Sequence, residues 1–179
     1  MSIVVYNPGQ EIPYTPDQLT ALCLPDRSIT PGDHVEEVDG TYQLNSHYGL
    51  FYVKDGVLLG VALCSKRNET KKKAGKTTVK KYVNVDDLCV AETARGQKIG
   101  PALLEKVSEI TKGLGYQFIR LLAVASAKEF YAKNGFTFPD GENETGGYYL
   151  MEKTLSGGRR RVKTVRIRHA RKKTPRVRS

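Results

Sequence analysis

The sequence predicts an α/β (α+β) protein built on a mixed sheet, and two observations predict this class. Asp55-Gly56 separates two apolar segments, and an Asp-Gly pair in that position is typical of a two-residue β-hairpin turn. Further along, one amphipathic helix lies between two apolar strands, an order that makes the flanking strands parallel through a right-handed crossover. A hairpin and a crossover together require a sheet with both antiparallel and parallel pairs.

The first 47 residues contain few regular elements. Ile3–Tyr6 is predicted to form a strand, and Thr15 followed by Pro16 is typical of a helix start. This helix is expected to end before Pro25. The segment Pro31–Gly40 is acidic and rich in turn residues, so we expect a loop there.

The middle of the chain is more regular. Tyr48–Val53 and Val57–Cys64 are the predicted hairpin strands. Ser65–Lys76 is rich in Lys and Arg and is expected to be an exposed loop, whereas Lys81–Val90 alternates as a strand does. Gln97–Leu114 places apolar residues at spacings of three and four, which predicts an amphipathic helix.

The remaining elements complete the sheet. Tyr116–Val124 is a nearly continuous apolar run, as expected for a strand covered on both faces. Ser126 has the spacing of a capping box with Glu129 and predicts a short helix through residue 133. Phe136–Phe138 and Tyr148–Leu155 are predicted to be the last strands.

The charge divides the chain in two. It carries 29 Lys and Arg against 19 Asp and Glu, a formal net charge of +10. Eleven of the basic residues, and no acidic residue, fall in residues 156–179, so residues 1–155 have a net charge of −1. We therefore expect one domain over residues 1–155 and a basic tail over residues 156–179, which has too few apolar residues to build a core.

Several classes of protein are excluded or disfavoured. The longest apolar run, Val57–Cys64, is far too short to span a bilayer, and the N-terminus lacks the pattern of a secretory signal. Three widely spaced cysteines predict unpaired thiols in a reducing compartment, cytoplasmic or nuclear. The three histidines are scattered, so no metal site is predicted.

The segment from Leu88 to Gly100 joins a predicted strand to a predicted helix. Such a junction presents unpaired backbone N–H groups at the positive end of the helix dipole. Gly96 and Gly100 allow a ligand to approach the backbone, and Pro101 fits the first helical turn. These features indicate an anion site suited to a pyrophosphate.

The same segment resembles the acetyl-coenzyme A motif of the GNAT superfamily of N-acetyltransferases, Arg/Gln-x-x-Gly-x-Gly/Ala. Lys98 stands where the family usually has glycine. Ala127–Phe136 is similar to the family's Ala-x-x-Phe-Tyr-x-x-x-Gly-Phe segment, although Val124 replaces an asparagine that often precedes it. The sequence is therefore identified as a member of this superfamily over about residues 48–155.

The resemblance implies a GNAT-like sheet, mostly antiparallel with a central parallel pair, and acetyl-coenzyme A as acetyl donor. It implies that the pantetheine arm pairs with Leu88, Cys89 and Val90, with the Val90 N–H as oxyanion donor. The pyrophosphate is expected on the backbone of Arg95, Gly96, Gln97, Lys98, Ile99 and Gly100, with two of these side chains as nearby cations.

Two kinds of group are candidates for proton transfer. The attacking amine must lose a proton, and Asp86 or Asp87 is the candidate base. Strand alternation predicts that they point to opposite faces, so that only one serves. Similarity to spermidine/spermine acetyltransferases favours Asp86, while the alternative is that both are solvated acids. Tyr131 matches the family tyrosine that protonates the leaving thiolate, the alternative being a core tyrosine.

The expected activity is acetyl transfer to a primary amine, of a protein lysine or N-terminus or of a polyamine. Direct attack is expected, since the sequence shows no Cys–His nucleophile arrangement. Residues 159–178 are expected to bind nucleic acid or another polyanion, or to act in nuclear targeting or as a solubilising extension. The alternative is a nucleic-acid-associated protein whose GNAT-like domain is catalytically silent, which the departures at Lys98 and Val124 favour.

Overall fold

A computed structural model describes residues 2–23, 31–73 and 76–155. The helices are α1 (Pro16–Ala21), α2 (Ile99–Gly113) and α3 (Lys128–Lys133). The strands are β1 (Ser2–Tyr6), β2 (Glu11–Ile12), β3 (Val35–Val38), β4 (Thr41–Leu44), β5 (His47–Lys54), β6 (Val57–Lys73), β7 (Lys76–Val90), β8 (Phe118–Val124), β9 (Glu144–Thr145) and β10 (Tyr148–Thr154). None of the helices in these ranges is long and apolar enough to cross a membrane.

A seven-stranded sheet in the order β1-β5-β6-β7-β8-β10-β9 is the centre of the fold. Its β7–β8 pair is parallel and is connected through α2, whereas its other pairs are antiparallel. The predicted fold class, with one central parallel pair, is confirmed. A small sheet in the order β2-β4-β3 accompanies it.

The large sheet has a core on each face. On the α2 face, Leu103 and Val107 of α2 pack against buried side chains of β6, β7 and β8. On the opposite face, which we call the α1 face, Leu19 of α1 packs with Phe51 and Leu63. Each face buries apolar area, and this burial is the main contribution to the stability of the sheet.

The local turn signals formed as predicted. Asp55 and Gly56 have φ angles of 52° and 79° and join β5 to β6, as a type I′ turn requires. Thr15 caps α1: its hydroxyl accepts from the Gln18 N–H, and the Gln18 side chain accepts from the Thr15 N–H. Both signals act within four residues, so the rest of the chain has little influence on them.

The predicted loop Ser65–Lys76 is wrong, because β6 continues to Lys73 and β7 begins at Lys76. The two strands stay paired from Gly60↔Val90 to Lys73↔Lys76. Thr and Val residues in this segment favour extended backbone, and the high charge only shows that the strands are exposed. The predicted loop Pro31–Gly40 is also partly wrong, since it holds a 3₁₀ turn over Pro31–His34 and strand β3.

Three predictions in the second half are wrong. Ser126 does not cap a helix: it lies in a 3₁₀ turn that runs directly into α3, whose N-cap is Ala127. Phe136–Phe138 is not a strand, because only Thr137 bridges to Glu152. Strand β8 is not covered on both faces, since Leu122 is 62% exposed.

Two of the three cysteines are paired. Cys23 and Cys89 form a disulfide with Cα atoms 5.2 Å apart, and Cys64 is buried and free. The expectation of three unpaired thiols is therefore wrong. The partners lie 66 residues apart in sequence, and only the packing of the end of α1 against β7 brings them together. The cysteines consequently give no argument for a reducing compartment.

The disulfide predicts a thiol count. Protein denatured without reductant should show one reactive thiol per chain, Cys64, and three after reduction. By loop-closure entropy the bond should contribute about 4 kcal/mol to the free energy of unfolding. Thiol titration checks the count, with Cys64→Ser as the control that should show no thiol before reduction. Three thiols in unreduced wild-type protein would contradict the pairing.

Candidate active site

The parallel strands β7 and β8 separate in the middle of the sheet. They pair only from Tyr82↔Phe118 to Val85↔Leu121. Beyond Val85, β7 remains paired with β6, and β8 remains paired with β10. The facing edges diverge and leave a cavity of about 930 Å³, a volume typical of small-molecule sites.

Most of the predicted site residues line this cavity. Gln97 does not, and its side chain instead donates to the Thr93 carbonyl at 3.5 Å. Val124, at the position of the missing asparagine, and Phe130 also line it. The predicted residues on its wall are Asp86, Asp87, Leu88, Cys89, Val90, Arg95, Gly96, Lys98, Ile99, Gly100 and Tyr131.

The start of α2 presents free backbone donors to the cavity. Arg95 and Gln97 N–H groups donate to carbonyls of the preceding turn. Within the described residues, the N–H groups of Gly96, Lys98 and Ile99 make no backbone hydrogen bond, and neither does that of Gly100. The N-cap of α2, Lys98, provides no side-chain cap, so these donors remain available to an anion.

Lys98 adopts the left-handed conformation, with φ 61°. A side chain in that region costs about 1 kcal/mol, which explains why glycine suits this position. The loop keeps its shape despite the substitution, and the lysine adds a cation beside the free N–H groups.

A β-bulge at the start of the cleft repositions the two aspartates. Leu63 pairs with Asp87 but Cys64 pairs with Val85, which leaves Asp86 as the extra residue of β7. Before the bulge, Val85 belongs to the core on the α2 face. After it, Cys89 belongs to the core on the α1 face. Odd-numbered residues therefore change sides at Asp86.

Because of the bulge, both carboxylates lie on the α1 face. Asp86 contacts Ser65 and Asn84, and Asp87 is the cross-strand partner of Leu63 on that face. The prediction that they point to opposite faces is wrong, since regular alternation does not continue through a bulge.

Asp86 is held by several donors. Its Oδ2 accepts from Ser65 Oγ at 2.8 Å, and its Oδ1 accepts from Asn84 Nδ2 at 2.8 Å. The Arg67 guanidinium lies 3.8 Å from Oδ1, and His47 Nε2 lies 3.5 Å from Oδ2. Both oxygens are thus occupied by neighbouring side chains.

Asp87 is buried and faces a different partner, since His34 Nε2 lies 3.0 Å from its Oδ2. The His34 and His47 rings are in contact, with centroids 4.1 Å apart and planes tilted by 39°. Contact with Asp87 raises the pKa of His34, whereas burial, followed by the nearby charge of His34, lowers the pKa of His47. The first proton taken up by this pair therefore goes to His34.

Some polar atoms of this cluster lack partners. Among the described residues, Asp87 Oδ2 and both ring nitrogens of His47 are buried without a hydrogen bond of good geometry. Asp87 Oδ2 keeps its 3.0 Å contact with His34, and a ligand that brings its own N–H donor would complete the hydrogen bonding of this buried carboxylate.

Tyr131 of α3 approaches from the other wall. Burial, with a smaller contribution from the Asp87 charge, raises the pKa of Tyr131 to about 12. The phenol therefore stays protonated at every physiological pH and can act as a hydrogen-bond or proton donor.

Sequence reasoning missed His34, His47, Ser65 and Asn84. The hairpin turn fixes the register of β5 against β6, so the sequence predicts the pairing of His47 with Ser65 to within one residue. His34 lies in a turn-rich segment far from β7 in sequence, and no pattern in the chain indicates its contact with Asp87.

Comparison with known proteins identifies the family. The model of the acetyltransferase (GNAT) family matches residues 18–136, which is most of the chain. The chain therefore belongs to the GNAT family of acetyltransferases, a class that uses acetyl-coenzyme A as the acetyl donor. Comparison with curated proteins finds no match.

Solved structures of similar fold agree with this. A GNAT family acetyltransferase from Elizabethkingia anophelis, with acetyl-CoA bound, has a TM-score of 0.57 and 18% identity, covering 86% of this chain and 97% of that one. An IAA acetyltransferase from Bacillus cereus has a TM-score of 0.54 and 18% identity, covering 86% of this chain and 100% of that one. At such identities the likeness shows the shared fold.

Replacing either glycine of the cleft with alanine should destabilise the protein, for a different reason at each position. A Cβ on Gly100 would lie 2.9 Å from the Phe130 ring, so Gly100→Ala overpacks the α2–α3 contact and should cost about 1–3 kcal/mol. A Cβ on Gly96 meets nothing within 4 Å, but φ is 80°, so Gly96→Ala should cost about 1 kcal/mol through strain.

Urea unfolding of the single and double variants separates the two causes. Adding Phe130→Leu should recover part of the stability lost in Gly100→Ala and none of that lost in Gly96→Ala. Equal recovery in both would contradict the packing role of Gly100.

Proposed function

We propose that this protein transfers an acetyl group from acetyl-coenzyme A to a primary amine by direct attack within the cleft. The observation that carries the proposal is the opening between β7 and β8, with free N–H donors at one end and the carboxylates of Asp86 and Asp87 at the other. A ligand spanning this cavity places a phosphate and a reacting carbonyl near groups suited to each.

The donor would be held mainly by backbone. The unpaired edge of Leu88, Cys89 and Val90 faces the cavity, and the Val90 N–H is the proposed oxyanion donor. The free N–H groups at the start of α2 would hold the pyrophosphate, with Arg95 and Lys98 as cations. The donor itself supplies the thioester, the activated form of the acetyl group.

The proposed base is His34, oriented by Asp87. An amine of pKa near 10.4 must lose its proton at neutral pH, which costs about 4.6 kcal/mol without a positioned base. His34 does not itself line the cavity, whereas Asp87 does, so the neutral imidazole takes the proton through water, and the adjacent carboxylate stabilises the imidazolium formed. Asp86, whose oxygens are occupied, is proposed to position this cluster, which differs from the preference for Asp86 that the sequence suggests.

Tyr131 is proposed to protonate the leaving thiolate. It lines the cavity and remains protonated, so it can donate as the carbon–sulfur bond breaks. Two proton transfers at opposite walls then accompany one acyl transfer, and no covalent enzyme intermediate is needed.

The acceptor is proposed to be a cationic amine, of a protein lysine or N-terminus or of a polyamine. Asp86 and Asp87 on the α1 face provide the negative charge that attracts it. The basic residues 159–178 lie outside the described residues, and we propose that they bind nucleic acid or another polyanion.

Calorimetry with acetyl-coenzyme A, followed by turnover on a panel of polyamines and lysine peptides, tests the function. The wild-type protein should bind the donor, and Tyr131→Phe should bind it equally well while its turnover falls, because only the proton donor is lost. Unchanged turnover would remove Tyr131 from the mechanism. A folded wild-type protein that does not bind the donor would contradict the proposed function. Donor binding without turnover on any amine would favour the catalytically silent alternative.

His34→Gln should lower kcat/KM by about 10²- to 10⁴-fold, the usual contribution of a positioned base. Activity requires neutral His34, so wild-type kcat/KM should rise with pH through a pKa above the ordinary value of 6.5. This rise at acidic pH, the acidic limb of the pH profile, should be absent from His34→Gln.

Two further results test the assignment of the base. Free imidazole should restore activity to His34→Ala, which a purely structural role would not allow. If His34→Gln keeps both its rate and its acidic limb, the base is Asp87 or water instead.

A further inference from the structure

The outer part of the β6–β7 hairpin leaves the sheet as a free two-stranded ribbon. On one side, β5 pairs with β6 no further than His47↔Ser65. On the other, β8 pairs with β7 no earlier than Tyr82↔Phe118. We call residues 66–73 and 76–81 the basic ribbon. Among the described residues, no strand pairs with either outer edge of the ribbon, while its two strands stay paired to each other as far as Lys73↔Lys76.

The ribbon is strongly positive. It has eight basic residues and one acidic residue, Glu69. Glu69 is already occupied by Arg120 at 2.8 Å and Lys71 at 3.4 Å, and Lys80 pairs with Glu152 at 2.7 Å. Among the described residues, no ion pair involves the remaining lysines whose side chains the structure places: Lys66, Lys72, Lys76 and Lys81.

Both faces of the ribbon carry cations. Cross-strand partners share a face, so Lys81, partner of Asn68, and Lys72, partner of Thr77, lie on one face. Lys76, partner of Lys73, lies on the other. A two-stranded ribbon fits the major groove of a duplex, about 12 Å wide, and there its two faces approach phosphates on opposite sides.

The last described residues of the chain lie near the base of the ribbon. Thr154, the last residue of β10, pairs with Phe118, and Phe118 pairs with Tyr82 at the base of the ribbon. Leu155 then donates its N–H to the Gln117 carbonyl at 2.8 Å. Leu155, which the eleven basic residues follow in the sequence, is therefore at the same end of the sheet as the ribbon. The cleft opens at the opposite end of β7.

The composition of the ribbon favours phosphates over a protein partner. Protein interfaces are depleted in lysine and need an apolar centre. The ribbon has one exposed large apolar side chain, Val79, among its described residues. Lysines also protect open strand edges from pairing, and that is the competing explanation for them.

We propose that the basic ribbon is a nucleic-acid-binding surface that contacts the phosphates of a duplex. The proposal goes beyond acetyl transfer and does not depend on it. Since the ribbon and the cleft lie at opposite ends of β7, duplex binding leaves the cleft accessible.

The test compares two triple variants of the full chain that remove equal charge. The ribbon variant is Lys72→Gln/Lys76→Gln/Lys81→Gln, and the matched control is Lys54→Gln/Lys128→Gln/Lys133→Gln, whose lysines lie outside the ribbon in β5 and α3. Binding of a labelled 20-base-pair DNA duplex is followed by fluorescence anisotropy between 50 and 200 mM salt, and circular dichroism confirms that both variants are folded.

The ribbon variant should bind at least tenfold more weakly than wild type at low salt. Its plot of log affinity against log salt should be flatter by about 2–3 units, since each lost phosphate contact removes about 0.9. The control variant should retain most of the wild-type affinity and most of the wild-type salt dependence. Equal behaviour of the two variants would overturn the proposal and leave the lysines as edge protection. Competition by poly-glutamate as strong as that by unlabelled duplex would overturn it in favour of an acidic protein partner.

Discussion

The separation of β7 from β8 after Val85 is the constraint on which the rest of the structure depends. Paired strands satisfy each other's backbone groups, and separation leaves one edge of each without a partner. The separation is tolerated because β6 and β10 hold the outer edges and α2 and α3 pack across the opening. An extended ligand that pairs with the open edge replaces the lost strand pairing, so one gap provides both the space and the hydrogen bonds of the site.

The bulge at Asp86 determines which charged side chains lie together beside this gap. One extra residue in β7 places two successive carboxylates on one face, where a regular strand would place one. Two neighbouring imidazoles from other parts of the chain then meet them, and contact with Asp87 makes His34 the more basic of the two. Packing of α3 through Phe130 against Gly100 brings Tyr131 to the other wall. The site is thus assembled by backbone irregularities that the surrounding layers hold in place.

Much of the fold was predictable from the sequence, because the signals that predicted it are local. The Asp55-Gly56 turn, the Thr15 cap and the apolar stripe of α2 each act over a few residues. The conformation of the loop from Arg95 to Gly100 was predictable for the same reason, since its glycines and the helix start lie within six residues of each other. The high charge of the ribbon favours the prediction of a loop. Its two strands are nevertheless extended, because of their β-propensity and their continued pairing with each other. The prediction that Ser126 caps α3 is wrong because Ser126 lies in a 3₁₀ turn before the helix.

The sequence by itself determined the order of elements, the parallel crossover and the family, since these follow from local periodicity and contiguous motifs. Only the tertiary structure decided which face each aspartate occupies, that His34 meets Asp87, and that Cys23 is bonded to Cys89. The reason is physical. A bulge shifts the register by one residue, and no feature of the amino-acid composition indicates it. Contacts between segments some fifty or more residues apart depend on how the layers of the fold pack. The groups proposed to react are brought together by such contacts.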